Sequence, residues 1–224
     1  LSTDQAVALT TAQVHALSST QAASLTTDAI ATLSTDQAFA LTTGAVAGLK
    51  TAQVAALTTD DLAALSTAQT VALTSGQVAT LSTDQAVALT TDQVHALTST
   101  QVESLTTAAL AALSTDQAAV LTTGAMAALK TSQFAALTTD QVAALSTSQI
   151  AALTSSEVKA LTTDQVGALS TDDVAAISTA SVTGLETVDI MAMTSAQARA
   201  LQSEQIHALN SSQVDAVVAA YLNS

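Results

Sequence analysis

Three histidines, His15, His95 and His207, and a row of aspartates spaced by multiples of eight, among them Asp4, Asp36, Asp84, Asp116 and Asp164, are the residues whose chemistry has to be weighed first. A helix binds a metal through a histidine when a second ligand follows at i+3 or i+4. Here Ser18 and Ser19 follow His15, Thr98 and Ser99 follow His95, and Asn210 and Ser211 follow His207. A calcium loop gathers several oxygens within one short glycine-containing segment, whereas these aspartates arrive at most one or two per octad. Asp60-Asp61 and Asp172-Asp173 are acidic pairs without a His, Lys or nucleophile beside them to complete an acid–base couple. "TTGAVAG" at 42–48 has two glycines but not the lysine or the preceding strand of a phosphate loop. No catalytic, cofactor-binding or metal-binding residue is assigned, no cofactor is expected, and the chain does not read as an enzyme.

Composition narrows the class of protein. Hydrophobic residues make up 49%, too many for a charge-rich disordered tail, while aromatics are 1%, namely Phe39, Phe134 and Tyr221. The core must therefore be built of Leu, Val, Ile and Ala. A net charge of −14 with four scattered basic residues, Lys50, Lys130, Lys159 and Arg199, excludes a nucleic-acid surface. With no cysteine there are neither disulfides nor thiolate sites. No apolar run reaches the roughly 18 residues of a membrane span, so membrane insertion is not expected. The chain opens at Leu1 in full repeat register and reads as a piece of something longer, without a leader-like apolar stretch.

The organising feature is a repeat of eight. The 224 residues divide evenly into 28 octads of consensus L-[S/T]-[S/T]-x-Q-V-x-A. Position 1 is Leu except at Ile177, Met193 and Val217; position 3 is Ser or Thr except at Ala219; position 8 is small except at Val120. In one continuous helix, at about 100° per residue, successive leucines would drift by about 80° and no apolar face would persist. A strand would mix both faces. Short helices broken once per octad fit best, and a β-solenoid is the alternative.

In that reading a hydroxyl at position 2 or 3 is the N-cap. Position 2 would pair with Gln at position 5 in a capping box, whereas position 3 is the more invariant, because Lys50 and Lys130 occupy position 2. Aspartate at position 4 suits the positive end of the helix dipole. Position 6 (Val14, Ile30, Leu62, Val94, Ile150) lies three residues before the next leucine and shares its face. Position 7 accepts His15, Glu103, Lys159, Arg199 and Asp215, and so faces solvent. Where position 6 is Ala, position 7 sometimes enlarges, as in Ala6-Val7, Ala38-Phe39 and Ala86-Val87, which predicts local compensation of volume.

Longer periods overlie the octad. Position 2 is Thr in every even octad from Thr10 to Thr154, which predicts a 16-residue unit, a hairpin of two short helices. Residues 1–80 return as 81–160, with Lys50 matching Lys130 and His15 matching His95. Residues 161–224 drift, and about 212–222 can run as one longer helix, a terminal cap. An isolated octad cannot offset the entropy of ordering it, so the units must stack. The expectation is one elongated all-α domain over 1–224, an α-solenoid or superhelix of short helices paired as 16-residue hairpins.

"LTTDQVHAL" and "LTTDQVAAL" resemble the octapeptide stretches of very large bacterial surface or secreted proteins, labelled adhesin-like or haem-utilisation-like. The likeness implies a secreted or cell-surface setting and a structural role; three scattered His and one Tyr are a poor basis for a haem site. The same nonamer is similar to the opening of TAL effector repeats, which implies a short helix after a Leu-Thr pair. The expected function is a spacer, stalk or self-assembling filament segment, associating head to tail through its repeat ends. A protein- or ligand-binding solenoid is the alternative, and an ice-binding face of hydroxyls a minor one.

Overall fold

Each octad must break its helix without proline, and nearly always without glycine at the break. The computed structural model describes residues 2–222. They form 26 α-helices and one 3₁₀ turn, every α-helix but the last being four to six residues long, with no strand among the described residues. In a typical octad the helix occupies positions 3 to 8, as in Thr35–Ala40 and Thr43–Gly48. The break is an extended dipeptide. Leu41 lies at φ −60°, ψ 136° and Thr42 at φ −71°, ψ 157°, a conformation open to any L-residue. No described residue has a positive φ. In most octads the position-1 N–H closes the helix with a short 3₁₀-type bond, Leu41 N–H donating to the Ala38 carbonyl at 3.2 Å.

The buried stripe runs through positions 5, 6 and 1. Ile30, Val54, Leu62 and Phe134 at position 6 are fully buried, and the leucines at position 1 nearly so in all but the first layer. Position 7 points away. Phe39 is 60% exposed beside a fully buried Ala38, and Val7 and Val87 are exposed as well. The expected compensation of volume does not occur, because position 7 is turned about 100° from position 6 and leaves the core altogether.

Contacts divide the chain into two units, one ending at Leu113 and the other beginning at Ser114. Each is an α-solenoid with the same rule of assembly. Helices pack on those three octads away. In the first unit Ser19–Ala23 lies against Thr43–Gly48 and Thr35–Ala40 against Thr59–Ala64. In the second, Thr131–Ala135 lies against Ser155–Ala160 and Thr139–Ala143 against Thr163–Ala168. The packing repeat is therefore 24 residues and not the expected 16-residue hairpin. The extended dipeptide turns a corner rather than reversing the chain, so neighbouring helices do not fold back on each other. The alternation of Thr and Ser at position 2 places different residues in one role, since Thr10 and Ser18 make the same capping bond.

Position 8 faces the layer before it, which accounts for its small residues. A Cβ added at Gly48 would fall 2.6 Å from that of Ser19, and one at Gly184 would collide with the Ser155 carbonyl oxygen. In the second unit the last helix, Ser211–Leu222, runs without an octad break. The Arg199 guanidinium lies 4.8 Å from the Tyr221 ring centroid, a cation–π contact that ties this helix to Ser195–Ala200.

Gly184→Ala should lower stability by about 1–3 kcal/mol through overpacking of the layer interface. Gly167, exposed in helix Thr163–Ala168 with open space around its Cα, gives the opposite sign, since Gly167→Ala should raise stability by up to about 1 kcal/mol. Thermal unfolding of the two variants checks both; a loss at Gly167 would contradict the outward assignment of position 7.

Candidate functional site

A helix of six residues leaves most of its backbone polar groups without an intrahelical partner. Position 2 answers at the front. Its hydroxyl is the N-cap and accepts from the backbone N–H of position 5, as Thr106 does from Ala109 at 3.0 Å. Where position 5 is Gln, its Oε1 returns the bond by accepting from the N-cap N–H, at 2.9 Å between Ser34 and Gln37, a complete capping box. Lys50 cannot accept, so half of the box survives there, the Lys50 N–H donating to Gln53 Oε1 at 2.7 Å. The invariance that favoured position 3 reflects a different demand, since position 3 is the first helical residue and is exposed in most octads.

The same glutamine answers at the back of another helix. Gln93 Nε2 donates to the carbonyls of Leu62 at 2.8 Å and Leu65 at 2.6 Å, which end the helix Thr59–Ala64 and begin the next octad. Gln37, Gln53, Gln69, Gln77, Gln85 and Gln101 make equivalent bonds in the first unit, and Gln149, Gln165, Gln197, Gln205 and Gln213 in the second. Every acceptor lies 28 to 31 residues earlier in the chain. These glutamines are 1–5% exposed. The capping role of Gln was legible in the S/T-x-x-Q spacing; its second role was not, because the partners are backbone carbonyls. In the first layer Gln5, Gln13 and Gln21 keep the capping bond but are exposed.

Substitutions in this ladder differ in what they keep. Asp61 and Asp173 cap their own helices, Asp61 Oδ2 accepting from the Thr58 hydroxyl at 2.7 Å and Asp173 Oδ2 from the Ser170 hydroxyl at 2.6 Å. Glu157 accepts from the Thr154 N–H at 2.6 Å through Oε2, while its buried Oε1 has no hydrogen-bond partner. Burial raises its carboxyl above the ordinary glutamate range, against the lowering effect of the Thr154 bonds. Asp189 is also raised, by burial first and then by the charge of Glu186, with the Thr163 hydroxyl and the Glu186 backbone opposing.

The residues weighed for metal or acid–base chemistry do not converge. His15, His95 and His207 are exposed at position 7 of separate helices, and His15 Nδ1 lies 3.1 Å from the Ala40 carbonyl oxygen. Among the described residues no group of three or more His, Asp or Glu is arranged to hold a metal ion, and no helix is long and apolar enough to cross a membrane. In the first unit an open cavity of about 910 Å³ borders Thr11, His15, Asp36, Phe39, Ser66 and Gln69. In the second a groove of about 290 Å³, almost wholly apolar, is lined by Leu201, Ile206, Val214, Val217, Tyr221 and Leu222, with Arg199 at its edge.

Stacked short helices joined by an amide ladder define an α-solenoid repeat protein. A family model described as the ALTTAQ repeat matches residues 39–67, 54–91, 75–107, 124–155, 147–179 and 182–218. Those spans take in more than half of the chain, which belongs to the ALTTAQ repeat family. No curated protein matches it.

Gln93→Ala should cost about 2–4 kcal/mol, because it removes a cap bond and leaves the buried Leu65 carbonyl without its donor, while the Leu62 carbonyl keeps the Leu65 N–H. Gln13→Ala removes a cap bond alone and should cost about 1 kcal/mol. Urea unfolding followed by circular dichroism separates them, and equal losses would refute the inter-layer role of the amide.

Proposed function

We propose that this chain is a structural spacer, a stalk or filament-building segment of a bacterial extracellular or surface protein, whose length is set by the number of octads. The observation that carries the reading is the use of the repeated polar groups within the fold itself. The position-2 hydroxyl and the position-5 amide hold helix ends, and alanine is the commonest residue at the outward position 7. The resemblance to octapeptide stretches of bacterial surface proteins and the absence of cysteine support the setting. A copy of residues 81–104 inserted after Ser104 should therefore add one layer, lengthening the particle by about 10 Å in small-angle scattering, with helical content per residue unchanged. A particle that broadens or unfolds instead would overturn the spacer reading.

Self-association head to tail is part of this proposal. The apolar groove around Val217, Tyr221 and Leu222 offers a face for burial against a second copy. Sedimentation velocity should show mass rising with concentration, and Leu222→Glu, at the exposed edge of the groove, should suppress it while circular dichroism stays the same. A monomer at every concentration would dismiss the association. A second reading, a binding solenoid, is favoured by one observation, the exposed Phe39 ring beside His15 at the open cavity.

A further inference from the structure

Glu157 stands where the ladder requires a donor. Gln149, one octad before it, sends Nε2 to the carbonyls of Ala118 and Leu121, and Gln165, one octad after, to that of Leu137. The same register of 28 and 31 residues sets Glu157 opposite the carbonyls of Met126 and Leu129. Its Oε2 already fills the capping half of the glutamine's role, accepting from the Thr154 N–H at 2.6 Å. The other oxygen, Oε1, is buried and has no partner. An ionised carboxylate there would hold lone pairs against carbonyl lone pairs in a site 2% exposed to water.

We propose that Glu157 is a proton-binding position of the second unit, which completes its rung as a neutral carboxylic acid whose O–H, on Oε1, donates to the Leu129 carbonyl, and which opens that rung when the proton leaves. The balance is simple. Protonation adds one O–H donor to an acid that keeps an acceptor oxygen for Thr154, so the group becomes an isostere of the ladder glutamine. Burial and the Thr154 bonds alone shift its carboxyl, with no charged group of a neighbouring element among the causes. The helix Thr131–Ala135 packed against it carries no titratable residue, with Lys130 at its N-cap. The 3₁₀ turn Val182–Gly184 on its other side carries none either. Lys159, on Glu157's own helix, is exposed and lies 3.9 Å from Glu186.

The direction of the pH dependence follows. Burial holds the folded-state carboxyl above its ordinary range, so the unfolded chain releases its proton first as pH rises. The stabilising contribution of Glu157 is complete below the unfolded value and is lost as pH rises through the folded one. The second unit should loosen toward neutral pH at this layer.

Glu157→Gln in the full chain supplies the donor at every pH and leaves all other carboxylates in place. Wild type and variant should melt together at about pH 4, and the variant should melt higher at about pH 8. Amide exchange over residues 153–160 should then be about tenfold slower in the variant. An offset that is the same at both pH values, or a wild type more stable than the variant at about pH 8, would overturn the proposal. It stands apart from the spacer reading, which makes no claim on pH.

Discussion

One side-chain amide holds this architecture together. The glutamine at position 5 has an acceptor and a donor on the same rigid group, and the fold uses them in opposite directions. Oε1 takes the N–H that opens its own helix, and Nε2 gives to the carbonyls that close a helix 28 to 31 residues earlier. Helices of four to six residues are far below the length at which a helix persists alone in water. Here their loose ends are joined to one another. A local device, the capping box, and a tertiary one, the layer contact, share a single residue, so a helix is completed only when its neighbouring layer is in place. That coupling makes stability a property of the stack.

The rest of the octad follows from that geometry. An N-cap at position 2 needs an extended residue, and so does the leucine before it, which gives the two-residue corner. With the glutamine at the third helical residue, the buried stripe falls on positions 5, 6 and 1, and position 7 turns outward. Position 8 meets the previous layer and stays small, to the limit of glycine at Gly48 and Gly184. An amide buried in an aliphatic layer is tolerable because its oxygen and nitrogen are both satisfied; half-satisfied, it would be costly. The exposed Lys159–Glu186 pair contributes little beside this.

How much of this could be read from residues alone depended on where the partner lay. The break once per octad, the choice of Ser and Thr near it, and the outward position 7 all follow from side-chain types, and the structure has each of them. The layer of three octads was present as a signal too, since Asp36, Asp60 and Asp84 recur at 24 residues, as do Asp92, Asp116, Asp140 and Asp164. It was hidden by the more conspicuous alternation of Thr and Ser at position 2, which leaves the capping bond unchanged. Lys50 and Lys130 obscured the cap position because half of the box survives without the hydroxyl. The second half of each glutamine's bonding left no trace, because a backbone carbonyl looks the same at every residue. For the same reason Glu157 reads as an ordinary conservative change until its empty rung is seen.

The region around Ser181 shows the rung imposing itself on the backbone. Serine at position 5 is three atoms short of glutamine and should leave the carbonyl 28 residues earlier unmet. Instead its Oγ donates to the Leu153 carbonyl at 2.6 Å. The octad gives up its α-helix for a 3₁₀ turn at Val182–Gly184, and Gly184 lets this turn approach the Ser155 backbone more closely than any side chain would allow. A shorter donor, a tighter turn and a missing Cβ each cost stability alone. Together they carry the donor to its acceptor, which is why the octad at Ser181 can change sequence while its connection to the layer before it is kept.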